Sequence, residues 1–222
     1  MTLEERAARL RSLERAAASA AACRKCSIGS TRRNNVYGEG DPCAALMVVG
    51  EGPGETEDAL GRPFVGRAGQ LLDQMLAAID LPREDVYICN TVKCRPTLND
   101  AGKLRNRPPD PAEMSNCRPF LDEQIEIIRP AVILALGAPA AKSFLGSTFS
   151  ITRQRGQWFE GPHGIPLMVT FHPAYVLRQT GNAMIGVKRQ VWEDLKAVRA
   201  RLAQRVEAAA PRVPEQALLF EE

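Results

Sequence analysis

The stretch Ala45-Leu46-Met47-Val48-Val49-Gly50-Glu51-Gly52-Pro53-Gly54-Glu55 joins five apolar residues to a turn that contains three glycines. Apolar runs of similar length recur further along the chain, at residues 86–89, 131–136 and 167–171. Continuous short runs of this kind are typical of parallel strands that are buried on both faces. Helix-like segments lie between and after them, at 68–79, 111–128, 138–145 and 184–206. The alternation predicts an α/β fold, a three-layer α/β/α sandwich with a central, mostly parallel four-stranded sheet.

Length and composition are those of an ordinary globular protein. The chain has 222 residues, of which 45% are hydrophobic and 25% charged, so it can bury a core. We find neither the run of about 18 apolar residues that a membrane-spanning helix needs nor the apolar segment of a signal peptide. We therefore expect a cytoplasmic protein with no membrane contact. The formal net charge is only +3, so a nucleic-acid site has to be a local basic patch.

Six cysteines in a chain without an export signal favour metal or cluster ligation over disulfides. Cys23 and Cys26 form a CxxC turn, and Cys94 and Cys117 flank a basic, proline-rich stretch. Four thiolates can hold either a tetrahedral zinc ion or a [4Fe–4S] cluster, and the spacing alone does not choose between them. The other two cysteines, Cys43 and Cys89, follow a turn signal and lie in an apolar run, so we leave them out of the site.

Polar residues gather where the predicted strands end. The first strand leads into the glycine-rich turn at 50–54, the second into Asn90 and the fourth into His172. Parallel strands place their carboxyl ends at one edge of a sheet, where α/β proteins bind ligands. The turn lacks the lysine of a nucleotide P-loop and also fails the Rossmann fingerprint. Its glycines instead suit a backbone that approaches a ligand closely.

Four separate motifs, in order along the chain, resemble those of the iron-sulfur uracil-DNA glycosylases usually called family 4. They are Gly50-Glu51-Gly52-Pro53-Gly54, Gly61-Arg62-Pro63-Phe64-Val65-Gly66, His172-Pro173-Ala174-Tyr175-Val176-Leu177-Arg178 and the four selected cysteines. The match runs from about residue 23 to residue 202. The resemblance implies an α/β/α sandwich, a [4Fe–4S] cofactor and a DNA repair hydrolase. Such an enzyme cleaves the N-glycosidic bond of deoxyuridine in single- or double-stranded DNA, which releases uracil and leaves an abasic site.

The resemblance also implies a role for each matching residue. Glu51 and Gly52 address the water and the sugar, Phe64 stacks on the flipped base, Asn90 reads uracil and His172 contacts uracil O2. Glu57 resembles the carboxylate beside uracil C5, where its bulk excludes the methyl group of thymine. The cluster ligands are Cys23, Cys26, Cys94 and Cys117. One departure is that 22 residues separate the last two cysteines, more than we expect for the family, and we interpret 97–103 as a loop insertion.

Elementary chemistry supports two of these roles. The carboxamide of Asn90 can accept the N3 proton of uracil and donate to O4, whereas cytosine presents the reversed pair. An alternative is that Asn90 only caps the turn that follows. Uracil leaves as an anion, so a neutral His172 that donates to O2 would stabilise the departing base.

A glycosylase must extrude its nucleotide and fill the gap that the base leaves. Tyr175, Val176 and Leu177 are the predicted wedge, and Arg178 is placed for a phosphate. Further phosphate candidates are Arg153, Arg155, Lys188 and Arg189.

We predict one glycosylase-like domain over residues 1–206, which begins with a helix at 2–22, and a flexible tail at 207–222. Within the tail, Gln216-Ala217-Leu218-Leu219-Phe220 resembles the peptides by which repair proteins bind a sliding clamp. We expect a monomer that associates with the nucleoid when it acts. Two other classes stay open: a uracil-DNA binding or damage-sensing protein with little turnover, and an iron-sulfur or zinc protein with no nucleic-acid role.

Overall fold

Eight strands form two sheets in the computed structural model, which describes residues 2–209. They are β1 (Glu39–Gly40), β2 (Leu46–Gly50), β3 (Tyr87–Asn90), β4 (Thr97–Asp100), β5 (Lys103–Asn106), β6 (Val132–Leu136), β7 (Trp158–Glu160) and β8 (Pro166–Thr170). The helices in the same part of the chain are α1 (Leu3–Ala22), α2 (Ile28–Thr31), α3 (Glu55–Leu60), α4 (Arg67–Ala77), α5 (Pro111–Ile128), α6 (Gly137–Leu145), α7 (Ile151–Gln154), α8 (Pro173–Leu177) and α9 (Gly181–Ala209). Short 3-10 turns at Arg83–Asp85 and Pro162–Gly164 complete the described elements.

The central sheet has the order β1-β3-β2-β6-β8-β7. Its four inner strands are parallel and correspond to the four apolar runs of the sequence, which confirms a mostly parallel α/β sheet. The predicted number of four strands is wrong, because β1 and β7 add antiparallel pairs at the two edges. These edge strands are two and three residues long and contain no buried residue, so no apolar run marks them.

Helices cover both faces of this sheet and confirm the three-layer architecture. On one face α1, α5 and α6 pack against Met47, Val49 and Ile133. On the other face α4 and α9 pack against Val48 and Leu134. Adjacent residues of one strand therefore serve opposite cores, which is why the inner strands are apolar without alternation.

Local signals set several helix ends. Thr2 and Glu5 form a capping box at the start of α1, where each side chain bonds the other residue's backbone N–H. Asp110 and Glu113 do the same for α5, and Pro111 occupies its first position. This helix has the bounds that its sequence predicts.

The segment interpreted as a loop insertion folds as the β4–β5 hairpin. Its two turn residues, Ala101 and Gly102, have φ values of 49° and 83°. Positive φ at both central positions is the signature of the two-residue turns that join twisted antiparallel strands. The insertion is therefore a regular element, which projects its exposed residues from the chain between Cys94 and Cys117.

Among residues 2–209, no helix combines the length and the apolar character needed to cross a bilayer. The predicted boundary between residues 206 and 207 falls inside α9. Most of the predicted tail, including the clamp-like peptide at 216–220, lies outside the described residues.

Candidate active site

A cavity of about 590 Å³ opens at the carboxyl ends of β2, β3 and β8. Seven of the predicted site residues lie in its wall: Glu51, Gly52, Glu57, Phe64, Asn90, His172 and Arg178. Residues far apart in the sequence meet here because three parallel strands end at the same edge. The wall also contains Pro96, Asn106 and Arg107 from both ends of the hairpin insertion.

Asn90 ends β3 directly beside Gly50 of β2. Its side-chain Oδ1 is buried and has no hydrogen-bond partner among the described residues. A Cβ atom on Gly50 would lie 2.4 Å from this Oδ1 and 2.4 Å from Cζ of Phe64, so only glycine lets the amide and the ring approach. Because an unpaired buried acceptor is costly, this amide is set up to bond a ligand.

Phe64 is buried, and its ring centroid lies 5.6 Å from that of His172. Its backbone has a φ of 51°, a left-handed conformation that costs an L-residue roughly 1 to 2 kcal/mol. Glu57 supports the loop that follows, because its Oε1 accepts the backbone N–H groups of Val65 and Gly66, each at 2.9 Å. Such strain persists only where surrounding contacts enforce it.

His172 is the N-cap residue of α8 and has a fixed tautomer. Its Nδ1 accepts the backbone N–H of Ala174 at 3.1 Å, so the proton of the neutral ring sits on Nε2. Burial, together with the nearby charge of Arg178, lowers the pKa of His172 to about 4, although the charge of Glu57 acts in the opposite direction. The ring is therefore a neutral N–H donor at physiological pH.

The two carboxylates of the pocket have different environments. Burial raises the pKa of Glu51, and the charge of Arg178 opposes that shift. Glu57 has both oxygens occupied, because Oε2 accepts the N–H of Gly54 at 3.1 Å while Oε1 bonds the Phe64 loop. Glu51 is thus the carboxylate available for proton chemistry, whereas Glu57 connects two loops and presents its bulk to the cavity.

The predicted wedge is only partly exposed. Tyr175 and Leu177 are 37% and 43% exposed, but the prediction for Val176 is wrong, because it packs in the core at 2% exposure. A one-turn helix points its residues in different directions, and Val176 faces α4 and α9. Tyr175 stacks on Phe171 with ring centroids 4.9 Å apart.

The residues predicted to bind phosphate differ in exposure and in ion pairing. Arg155 forms an ion pair with buried Asp194, whose Oδ2 also accepts a hydrogen bond from Thr170 at 2.6 Å. Its role is therefore structural, and its prediction as a phosphate ligand is wrong. Arg153, Lys188 and Arg189 are exposed, as is Arg178 at the mouth of the pocket.

Four cysteines line a second, small cavity. Cys23 and Cys26 come from the turn between α1 and α2, Cys94 follows β3, and Cys117 lies in α5. None of the six cysteines forms a disulfide. Cys43 and Cys89 do not line this cavity, and Cys89 is buried in β3.

Hydrogen-bond donors surround the sulfur atoms. Arg32 Nη1 lies 3.0 Å from Sγ of Cys94, and the backbone N–H of Lys93 lies 3.3 Å from Sγ of Cys117. Burial raises the pKa of the Cys117 thiol to about 11. Within the described chain, no three His, Cys, Asp or Glu side chains are grouped so that they could hold a single metal ion.

Comparisons with known proteins agree with this geometry. The family model described as the uracil DNA glycosylase superfamily matches residues 37–196. A type-4 uracil-DNA glycosylase of Thermotoga maritima is 47% identical over 182 residues, which are 80% of this chain and 88% of the relative. One from Sulfurisphaera tokodaii is 42% identical and covers 85% and 84%, and one from Archaeoglobus fulgidus is 44% identical and covers 70% and 78%. This chain belongs to the type-4 uracil-DNA glycosylase family.

In this type-4 family member, Lys93 is a polar residue that the sequence analysis missed. It is fully buried, and its Nζ donates to the backbone oxygen of Asn90 at 2.7 Å and to Oε1 of Gln124 at 2.6 Å. Lys93 therefore connects the end of β3 to α5, between the pocket and the cysteines. The signal in the sequence is a lysine inside a run of otherwise buried residues, which requires partners.

Proposed function

We propose that this chain excises uracil from DNA as a monofunctional glycosylase. Water adds to C1′ of the deoxyribose as the bond from C1′ to uracil N1 breaks. The bonding electron pair leaves with uracil, which takes up a proton, and the DNA retains an abasic site. Family membership supports the reaction class, and the contacts of the pocket support the following roles.

One observation carries the proposal: the buried, unpartnered Oδ1 of Asn90 lies in the same pocket as the neutral His172. In the proposed complex, Asn90 accepts the N3 proton of uracil and donates to O4. Cytosine offers the opposite pattern and would leave buried groups unpaired, which is the strongest basis for rejecting it.

His172 is proposed to donate its Nε2 proton in a hydrogen bond to uracil O2. Because negative charge develops on uracil as the bond breaks, this bond strengthens in the transition state. A neutral donor with a fixed tautomer needs no proton rearrangement during the reaction. Glu51 is proposed to orient the water, and the backbone at Gly52 to approach the sugar closely.

Phe64 and Glu57 are proposed to shape the base site. The Phe64 ring would stack on uracil, which holds the flipped base beside Asn90. Glu57 would occupy the space next to C5, because its carboxylate is held between two loops and cannot turn away from a thymine methyl group. Discrimination against thymine would therefore be steric.

Cys23, Cys26, Cys94 and Cys117 are proposed to hold a [4Fe–4S] cluster. A tetrahedral zinc site needs four sulfurs at about 2.3 Å from one centre, whereas each cysteine of a cluster binds a different iron. The four cysteines line one cavity, as either centre requires, and membership of the type-4 family supports the cluster. The donors at Cys94 and Cys117 would stabilise thiolates. When bound, the cluster would link the α1–α2 turn, the chain after β3 and helix α5, and it would take no part in the hydrolysis.

The DNA contacts complete the proposal. Tyr175 and Leu177 would fill the gap in the base stack, and Arg178 would bind a phosphate beside the pocket. Uracil in either single- or double-stranded DNA is the proposed substrate. We also propose that the chain acts as a monomer at the nucleoid in the cytoplasm, with a clamp contact through 216–220.

The test is incubation with a single-stranded oligonucleotide that contains one uracil, followed by alkali, which cleaves abasic sites. Expected is one cut at the uracil position and none in a matched thymine oligonucleotide. Retention of the uracil oligonucleotide without cleavage would instead identify a damage-sensing protein. Neither cleavage nor uracil-dependent binding would reject the proposal.

A further inference from the structure

Arg83 does not line the active-site pocket, yet its guanidinium binds the loop that carries Phe64. Its Nη2 donates to the backbone oxygen of Pro63 at 2.5 Å, and its Nη1 donates to that of Phe64 at 3.1 Å. Two successive carbonyl groups are therefore held by one side chain. The residue stands in the 3-10 turn that leads into β3, the strand that ends at Asn90.

The remaining donors of Arg83 are also used. Nε and Nη2 bond Oε1 of Glu39 at 2.9 and 2.7 Å, and Nη1 bonds Oδ1 of Asp73 at 2.8 Å. The five N–H groups of a guanidinium thus have five bonds, and the side chain is only 19% exposed. Glu39 on β1 and Asp73 on α4 fix the guanidinium in place, so it can impose a geometry on the loop.

The backbone that Arg83 binds is strained. Phe64 has a φ of 51°, although bulky residues strongly disfavour positive φ. The peptide groups around it are held from two sides, because Arg83 takes the carbonyls while Glu57 takes the N–H groups of Val65 and Gly66. The α4 backbone also closes on the loop, since a Cβ on Gly69 would lie 1.8 Å from the oxygen of Phe64.

We propose that Arg83 is a positioning residue for base capture. It holds Phe64 in the left-handed conformation that sets the aromatic ring against His172 and, in the complex, against uracil. This inference rests on the proposed function, in which Phe64 stacks on the flipped base. The effect of Arg83 passes through Phe64 and leaves the hydrogen bond from His172 to uracil intact.

A lysine cannot replace this arginine. An ammonium group has three donors that radiate from one atom, whereas the guanidinium fork reaches two carbonyls and two carboxylates at once. Arg83→Lys therefore keeps the charge beside Glu39 and Asp73 but releases the Phe64 loop. The inference predicts that charge alone does not rescue activity.

The experiment is a double-mutant cycle on a single-stranded uracil oligonucleotide. We expect Arg83→Lys and Arg83→Met to lower kcat/KM by about tenfold, chiefly through KM, as displacement of a substrate-contacting group does. In a Phe64→Ala background, the same substitutions should change kcat/KM by less than about twofold, because the group that Arg83 positions is gone. Arg6→Met is the matched control, since Arg6 also pairs with a carboxylate, that of Asp41, but lies on α1 and does not bond the loop carbonyls.

Each outcome is decisive. Equal losses with and without Phe64, or no loss in either Arg83 variant, would overturn the positioning role. A wild-type chain that leaves uracil in place would reject the proposed function itself, whatever the variants do. If Arg83→Met does not fold, the double-mutant cycle is done with Arg83→Lys and Glu39→Gln. Glu39→Gln weakens the ion pair that fixes Arg83, and Glu39 lies on β1, outside the pocket.

Discussion

At the scale of single residues, a substitution of Asn90 should affect the recognition of uracil and not the stability of the fold. The Oδ1 of Asn90 makes no hydrogen bond to the described residues, so replacing this atom breaks no hydrogen bond of the fold. Asn90→Asp should weaken uracil excision roughly tenfold or more, because one lost or reversed hydrogen bond in a buried site costs about 1 to 3 kcal/mol. Single-turnover excision and thermal unfolding of the same preparation test this prediction.

Asn99→Asp serves as the control for Asn90→Asp. Asn99 lies on the β4–β5 hairpin, where its Oδ1 accepts the N–H of Gly102, a bond that aspartate keeps. Unchanged excision by Asn90→Asp, with the fold intact, would remove Asn90 from uracil recognition.

The pH dependence of excision should come from Glu51 and not from His172. The pKa of His172 falls to about 4, so the ring stays neutral throughout the usual assay range. The pKa of Glu51 is raised, so this carboxylate takes up a proton at a higher pH than an ordinary glutamate. Excision should therefore decline on the acid side because of Glu51. Glu51→Gln should lower the rate about a hundredfold and remove this decline.

His172→Ala should also cut excision about a hundredfold while substrate still binds, but it should retain the acid decline.

The lowered pKa of His172 also affects the stability of the fold. As the pH falls from 6.5 toward 4, the unfolded chain binds the proton of His172 before the folded chain does, so the free energy of unfolding decreases. A Glu51→Gln profile that still declines in acid would assign the titration to another group.

At the scale of elements, the short helix α8 and its N-cap carry the proposed donor to uracil, His172, and the two proposed DNA-contacting residues, Tyr175 and Leu177. His172 caps it, Val176 anchors it in the core, and Leu177 stays 43% exposed beside the pocket. Leu177→Ala should slow excision from double-stranded DNA by about tenfold and hardly affect single strands, because only the duplex leaves a gap to be filled. The measurement is the ratio of the two single-turnover rates.

Leu10→Ala is the matched control, because Leu10 is 47% exposed on α1 and is not part of the active-site pocket. Equal losses of rate on single and double strands in Leu177→Ala would show that the residue supports the fold rather than the wedge.

At the scale of the whole molecule, the four cysteines come from the turn after α1, the end of β3 and α5, and line one cavity. A cluster bound there adds its binding free energy to folding. Cys117→Ala should therefore lose the broad absorbance near about 400 nm expected of iron-sulfur protein, lose iron, and lower both the unfolding temperature and the soluble yield. Iron analysis and thermal unfolding provide the readouts.

Cys43→Ala and Cys89→Ala should keep the absorbance, since neither side chain lines the cysteine cavity. A colourless wild-type protein that contains one zinc ion would contradict the cluster assignment.

The sequence by itself determined the inner strands, the main helices and the pocket motifs. Each of these has a local physical cause: strands buried on two faces are apolar throughout, and Asp110 followed by Pro111 favours the start of a helix. The glycine-rich turn, Asn90 and His172 converge because parallel strands end together. This rule predicts, from the sequence alone, that the three motifs form one pocket.

Only the tertiary structure decided features that depend on neighbours distant in the chain. Two edge strands pair without an apolar signal, and Val176 turns into the core while Leu177 stays outside. Arg155 forms an ion pair with Asp194, and Arg83 donates hydrogen bonds to the loop that contains Phe64. The physical reason is that burial, ion pairing and backbone strain depend on which atoms long-range packing brings within a few ångströms, and local periodicity carries no record of that.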